Sequence, residues 1–366
     1  TSFSVGPAAI FGDNLNASIS PSRIANPDLK WEGAKQIDFG VDFSFFKRRI
    51  SGSIDYYSRR TNDLLLDLPL PLSTGFAIKT QNVGDMKNSG IEISLNSEII
   101  RSNEFNWNAS VNFSTLKNEV LSLGPLNQIF SGGAGFLNNV SIIKPGESIG
   151  SYYGYKVLGV WQESDDFSNA PVGVKPGDFK FLDVDNNKQI NADDRMILGK
   201  SLPDFIYGFN STIAFKGFSF GVFFEGQQGS SIINNAAVDS YFPLSFRRNK
   251  LAEPYLNRWT PSNPTNEYPS FINPTSQGQQ TVNSRTVENA SYLRFQSARI
   301  SYDIGLGSNK WINKMQVYVT GQNLATFTKY SGVDPSVNAT GNDVVKIDYS
   351  TYPLTRSFLL GVNLQF

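Results

Sequence analysis

Apolar and polar residues alternate with a period of two along much of the chain, and the helical period is nearly absent. At the C-terminus Phe358, Leu360, Val362, Leu364 and Phe366 interleave with Leu359, Gly361, Asn363 and Gln365. Ile37, Phe39, Val41, Phe43 and Phe45 alternate with Gln36, Asp38, Gly40, Asp42 and Ser44, and Phe105, Trp107, Ala109, Val111 and Phe113 with asparagines and serines. The pattern predicts strands over 36–46, 50–61, 89–99, 105–117, 204–215, 218–228, 290–303, 314–325 and 354–366. Ten residues of strand rise about 33 Å, and a tilt near 40° leaves roughly 25 Å, the height of the apolar band on a membrane barrel. Alternation by itself also suits a soluble β-sandwich.

Connection lengths separate the two. Tight turns at Lys47-Arg48-Arg49, Arg101–Glu104 and Lys216-Gly217 alternate with long connections at 62–88, 118–203 and 229–289, and 326–353 leads to the last strand. Short turns at one end and long loops at the other are the asymmetry of outer-membrane barrels, whose long loops are extracellular. The expected fold is therefore all-β, a transmembrane antiparallel β-barrel, with Phe45, Tyr56, Phe105, Phe113, Phe215 and Phe218 as interfacial aromatics. Counting gives about nine strands, or about eleven if Tyr152–Trp161 and a partner cross. Parity puts residues 1–35 in an extracellular segment and the C-terminus in the periplasm, and an odd count implies that further strands lie elsewhere.

The 366 residues are 13% aromatic, with 32 basic and 32 acidic side chains, so no charge excess points to nucleic acid. Cysteine and histidine are absent, which removes thiol nucleophiles, imidazole bases and the usual zinc ligands. Acid pairs such as Asp165-Asp166 and Asp193-Asp194 have no accompanying nucleophile, so no enzyme is expected. No apolar run approaches the roughly 18 residues of a spanning helix. With Thr1 in first place, the chain reads as a mature or partial piece.

Asp183-Val184-Asp185-Asn186-Asn187-Lys188-Gln189-Ile190-Asn191-Ala192-Asp193-Asp194 is the sharpest local motif. Oxygen donors at Asp183, Asp185, Asn187, the Gln189 carbonyl and Asp194 have the spacing of a calcium loop. Lys188 stands where glycine is expected at the bend, and Asp194 reaches less far than glutamate. The alternative is a metal-free turn rich in Asx hydrogen bonds.

Several phrases resemble the SusC/RagA family of TonB-dependent transporters. They are Asn26-Pro27-Asp28-Leu29-Lys30-Trp31-Glu32, Asn82-Val83-Gly84-Asp85-Met86-Lys87-Asn88-Ser89-Gly90-Ile91-Glu92, Gly177-Asp178-Phe179-Lys180-Phe181-Leu182-Asp183, and Pro203-Asp204-Phe205-Ile206-Tyr207-Gly208-Phe209-Asn210. Asn257-Arg258-Trp259-Thr260-Pro261, Gly321-Gln322-Asn323-Leu324, Thr326-Phe327-Thr328-Lys329-Tyr330 and Tyr352-Pro353 complete the set, in family order over nearly the whole chain. The resemblance implies the C-terminal part of a barrel of about 22 strands, whose N-terminal plug and TonB-contacting region are not in this chain. It also implies a SusD-like surface lipoprotein, oligosaccharide or peptide cargo, and contact with outer-membrane lipid and lipopolysaccharide. A scaffold subunit of a larger outer-membrane complex is the alternative.

Within that frame, Phe358, Leu360, Val362, Leu364 and Phe366 resemble the signal read by the outer-membrane assembly machinery. Tyr152, Tyr153, Tyr155, Trp161, Tyr241, Tyr255 and Trp259 are loop aromatics suited to stacking on cargo or packing against a lid. The Pro- and Asn-rich stretch Pro254–Pro274 is a candidate lid-contact surface.

Overall fold

The structure, a computed structural model, describes residues 3–11, 14–21, 24–76, 78–135, 137–240, 249, 251–271, 282–305, 312–341 and 343–366. Nine long strands form one antiparallel meander: β1 (Gly33–Phe45), β2 (Ile50–Pro69), β3 (Ile78–Arg101), β4 (Phe105–Thr115), β5 (Phe205–Phe215), β6 (Phe218–Gln228), β7 (Tyr292–Ile304), β8 (Lys314–Thr328) and β9 (Ser357–Gln365). Each pairs with its neighbours in sequence, from β1 at one edge to β9 at the other. A further short strand, Lys117–Ser122, continues β4 and pairs with the far part of β3.

The register lines up the apolar positions that alternation picked out. One row runs Leu360–Val319–Ile300–Phe220–Ile213–Trp107–Ile100 across seven strands. Beside it lies the aromatic row Phe105–Phe215–Phe218–Tyr302. This face is uncovered: Leu360 is 81% exposed and Phe39 69%. Left in water, each such side chain forgoes about 1.5–3 kcal/mol, so the face requires an apolar solvent. The Trp107 indole N–H still needs a partner in hydrocarbon, and it donates to Ser211 Oγ at 2.9 Å.

Rows on the opposite face are polar, as in Asp42–Ser53–Ser94–Asn112–Gly208–Glu225–Arg294–Thr326. The wall is thus inverted relative to a water-soluble sheet. Among the described buried apolar side chains only Leu68, near the tip of the β2–β3 hairpin, and Val120, on the short strand paired with β3, belong to the wall sheet.

Residues 46–49, 102–104, 216–217 and 305–313 connect strands at one end, where the chain's last residue also lies beside the start of β8. Residues 70–77, 116–204, 229–291 and 329–356 connect them at the other. Expectation and structure differ in three places. The connection expected at 62–88 is mostly strand, because β2 and β3 remain paired out to Pro69 and Ile78; the run Leu64-Leu65-Leu66 hides the alternation there. At a rise of about 3.3 Å per residue this hairpin overshoots any bilayer. Tyr152–Trp161 does not cross with the wall: Ser151–Tyr155 and Val157–Val160 belong to small separate sheets, which removes the eleven-strand count. Segment 1–35 contains a hairpin, Phe3–Phe11 paired with Asn14–Pro21, where the alternation reading had no strand.

The long connections fold together into a cap. Leu137, Val140 and Tyr152 from the first long loop meet Ile233, Val238, Val282 and Val287 from the second and Val345 and Ile347 from the third. A second core joins Val157, Val160, Phe179 and Phe181 to Trp259. Two family-like phrases meet at the wall rim, where Asn82 Nδ2 donates to the Lys30 carbonyl (2.9 Å) and Lys30 N–H donates to Asn82 Oδ1 (2.8 Å).

Candidate functional site

The polar face encloses a 510 Å³ concavity spanning β2 to β7, lined among others by Asp55, Glu92, Asn112, Phe223, Glu225 and Tyr292. A concavity shared by six neighbouring strands makes this the inside of the curve. A second hollow of 280 Å³ lies nearer the short-turn end, walled by Asn96, Asn108 and Asn210 with Arg48 and Glu98. Carboxamides and hydroxyls offer both donors and acceptors, which suits sugar hydroxyls and peptide groups alike.

Arg294 is the charge that binds this wall to the cap. It projects from β7 and is 3% exposed. Its guanidinium donates to Asp334 Oδ1 (2.8 Å), Ser336 Oγ (3.1 Å) and Thr326 Oγ1 (3.1 Å), with Glu225 at 3.8 Å and the Tyr292 ring at 4.7 Å. Asp334 and Ser336 belong to the third long loop, so one side chain holds that loop against the wall. Sequence reading passed over Arg294; the available signal was a full charge at an inward position of a predicted strand. The same loop is tied down by Tyr330, whose hydroxyl donates to Asp348 Oδ2 at 2.7 Å. Burial, then the Asp348 carboxylate, pushes that phenol far above its ordinary range.

In the 183–194 loop the structure brings together the carboxylates of Asp183, Asp185 and Asp194, with one oxygen of each within 4.8 Å of the others. Backbone amides already occupy them. Asp183 accepts from Asn187 and Lys188, Asp185 from Asn187, and the fully buried Asp194 from Val184 and Asn191 at 2.8 Å each. Asn187 contributes through Nδ2 to Asp185 Oδ2 (2.7 Å), and Gln189 N–H donates to Asn187 Oδ1 (2.8 Å). Lys188 adopts φ 62°, the left-handed turn for which glycine is usually chosen.

The loop aromatics divide by burial. Tyr152 is fully buried, and its hydroxyl donates to the carbonyls of Lys346 (2.7 Å) and Ser231 (3.2 Å). Trp161, 6% exposed, packs at a tilt against Phe167 under the Lys180 ammonium. Trp259 is 4% exposed, with its indole N–H on Gln162 Oε1 at 2.9 Å. These three rings are occupied in packing. Tyr153 lies against Arg195 and Phe130, Tyr155 against Phe181, and the half-exposed Tyr255 beneath Arg258. Tyr241, and residues 272–274 of the Pro-rich stretch, lie outside the described residues. On the terminal strand, Phe358, Leu360, Val362, Leu364 and Phe366 all point out of the wall and are exposed.

An antiparallel wall with an apolar outside, a polar inside and loops sorted to one end defines a transmembrane β-barrel. The family described as TonB dependent receptor-like, beta-barrel matches residues 2–324. Among curated proteins, TonB-dependent receptor P3 of Formosa agariphila is 35% identical, covering 98% of this chain and 36% of that protein. TonB-dependent receptor SusC of Bacteroides thetaiotaomicron is 30% identical over 97% of this chain and 34% of its own length. A solved structure of the RagAB peptide transporter matches with a TM-score of 0.80 at 28% identity, covering all of this chain and 38% of that one. The chain belongs to the TonB-dependent receptor β-barrel family and is SusC/RagA-like, an outer-membrane β-barrel. It spans just over a third of the length of these relatives.

Proposed function

We propose that the whole protein imports oligosaccharides or peptides across the outer membrane, energised through TonB, with this chain supplying wall and cap. The supporting observation is the cap itself: three long loops share one core at the end of a wall whose inner face is polar. In this reading the cap is extracellular, the short turns and Phe366 are periplasmic, and a SusD-like lipoprotein sits over the cap. Phe358, Leu360, Val362, Leu364 and Phe366 act as the assembly signal.

Deletion of the gene tests the reading by uptake of labelled peptides and glycans, beside deletion of tonB and affinity capture of the lipoprotein. Loss of uptake in both deletions is expected. Undiminished uptake in the gene deletion, together with collapse of a larger envelope complex, would replace import by the scaffold reading. For the 183–194 loop we propose a calcium brace, resting on the three convergent carboxylates. Terbium luminescence on the purified protein tests it: calcium should displace the ion, and Asp183→Asn with Asp185→Asn should weaken binding at least tenfold.

A further inference from the structure

Toward the long-loop end, the outer face of β1 to β3 carries a charge pattern that building a wall does not require. Outward positions on β1 run Phe43, Val41, Phe39, Ile37 and then Lys35. On β2 they run Ile54, Tyr56, Ser58 and then Arg60, and on β3 Ile93, Ile91, Ser89 and then Lys87. Register sets the three cations in one cross-strand row, Lys35–Arg60–Lys87, with Ile37–Ser58–Ser89 as the next row toward the apolar band. No bulge separates these rows from the apolar ones, so all share the lipid-facing side. Lys117 of the adjoining short strand stands opposite Ser89, and Glu119 opposite Lys87.

Side chains directly opposite on one face have Cβ atoms about 5 Å apart, and like charges so placed repel. The chain offsets only part of this repulsion. Arg60 pairs with Asp85 at 3.0 Å and Lys117 with Glu119 at 3.6 Å. Lys35 and Lys87, both exposed, have no carboxylate partner among the described residues. Nor does the pattern belong to the rim as a whole. At the same end of β4 to β8 the outward row Phe113–Tyr207–Gly226–Leu293–Phe327 holds no charge, and neither does Thr115–Phe205–Gln228 beyond it. A local row of cations, bordered by two hydroxyls and then by Phe39, Tyr56 and Ile91, matches a phosphorylated lipid. Its phosphate oxygens would lie among the cations and its acyl chains along the apolar rows.

We propose that the Lys35–Arg60–Lys87 row is a binding site for the phosphate of lipopolysaccharide in the leaflet at the long-loop end. The site rests on the orientation proposed above, which makes that leaflet the outer one.

The test uses full-length protein extracted from its own outer membrane, with retained lipid read by native mass spectrometry. Lys35→Gln with Lys87→Gln removes both unpaired charges and leaves Arg60 its Asp85 partner. Retained lipopolysaccharide should fall roughly tenfold, with phosphatidylethanolamine and heat-modifiable migration unchanged. Equal lipopolysaccharide on wild type and variant overturns the proposal. Wild-type protein stripped of lipid should bind lipid A in preference to its dephosphorylated form and to phosphatidylglycerol; equal binding of either overturns it too. Orientation is read separately, by the reaction of Lys87→Cys with an impermeant maleimide on intact cells. Labelling there together with undiminished lipid on the double variant sinks the site alone. Labelling only after the outer membrane is opened sinks the orientation, and the site with it.

Discussion

Arg294 shows how one side chain can hold two structures together. It is buried on the wall, and its strongest partner, Asp334, comes from the cap. Removing one member of a buried pair strands the other charge at a cost of about 3–5 kcal/mol. In the full-length protein Asp334→Ala should therefore loosen the third long loop without unfolding the wall: proteolysis within 329–349 accelerates while heat-modifiable migration persists. Glu225, at 3.8 Å, limits the loss by remaining near the guanidinium, so Asp334→Ala combined with Glu225→Gln should exceed the sum of the single changes.

Lys346 gives a pH signature at the same scale. Set between the buried Val345 and Ile347, its ammonium is pushed below the ordinary lysine range by burial. The folded cap then binds that proton less tightly than the unfolded chain, so unfolding takes up protons and stability rises with pH toward the unfolded value. Denaturant midpoints followed by tryptophan fluorescence should climb as the pH rises toward the ordinary lysine value of about 10.4. Lys346→Met should flatten that climb and raise the neutral-pH midpoint.

At the scale of elements, the 183–194 loop is held by Asp194, whose two oxygens accept the amides of Val184 and Asn191 across the turn. Asp194→Ala removes the acceptor of both part-buried amides, at about 1 kcal/mol each. The strand Arg195–Lys200 that follows should exchange its amides faster, with β5 unaffected. How far elements were legible depended on what each residue faced. Wall strands such as β1 and β9 were legible because one face meets lipid and the other water, so the alternation in Phe39, Val41 and Phe43 survives intact. Ser151–Tyr155 was misread as a possible crossing strand because its neighbours come from distant loops, and Ser151, Tyr152 and Gly154 are all buried. The aspartate cluster was legible from spacing, whereas the burial of Tyr152 and Trp259 depends on contacts from remote segments that no local pattern carries.

At the scale of the molecule, the wall has two edges, the outer sides of β1 and β9, with no partner strand among the described residues. Each unpaired peptide group in hydrocarbon costs several kcal/mol, so an open sheet cannot persist across a bilayer. Closure must come from further strands bonded to both edges. Expressed alone, residues 1–366 should therefore give no heat-modifiable band and should bind the dye ANS through the uncovered apolar face. Co-expression with the remaining barrel strands of the parent should restore the band. Hydrogen exchange in that assembly would locate the repair: amides of β5 and β6, already paired on both sides, change little, whereas the outward amides of β1 and β9 become protected. A stable, detergent-independent monomer formed by residues 1–366 would mean that the apolar face is covered within the chain, and the membrane wall would have to be abandoned.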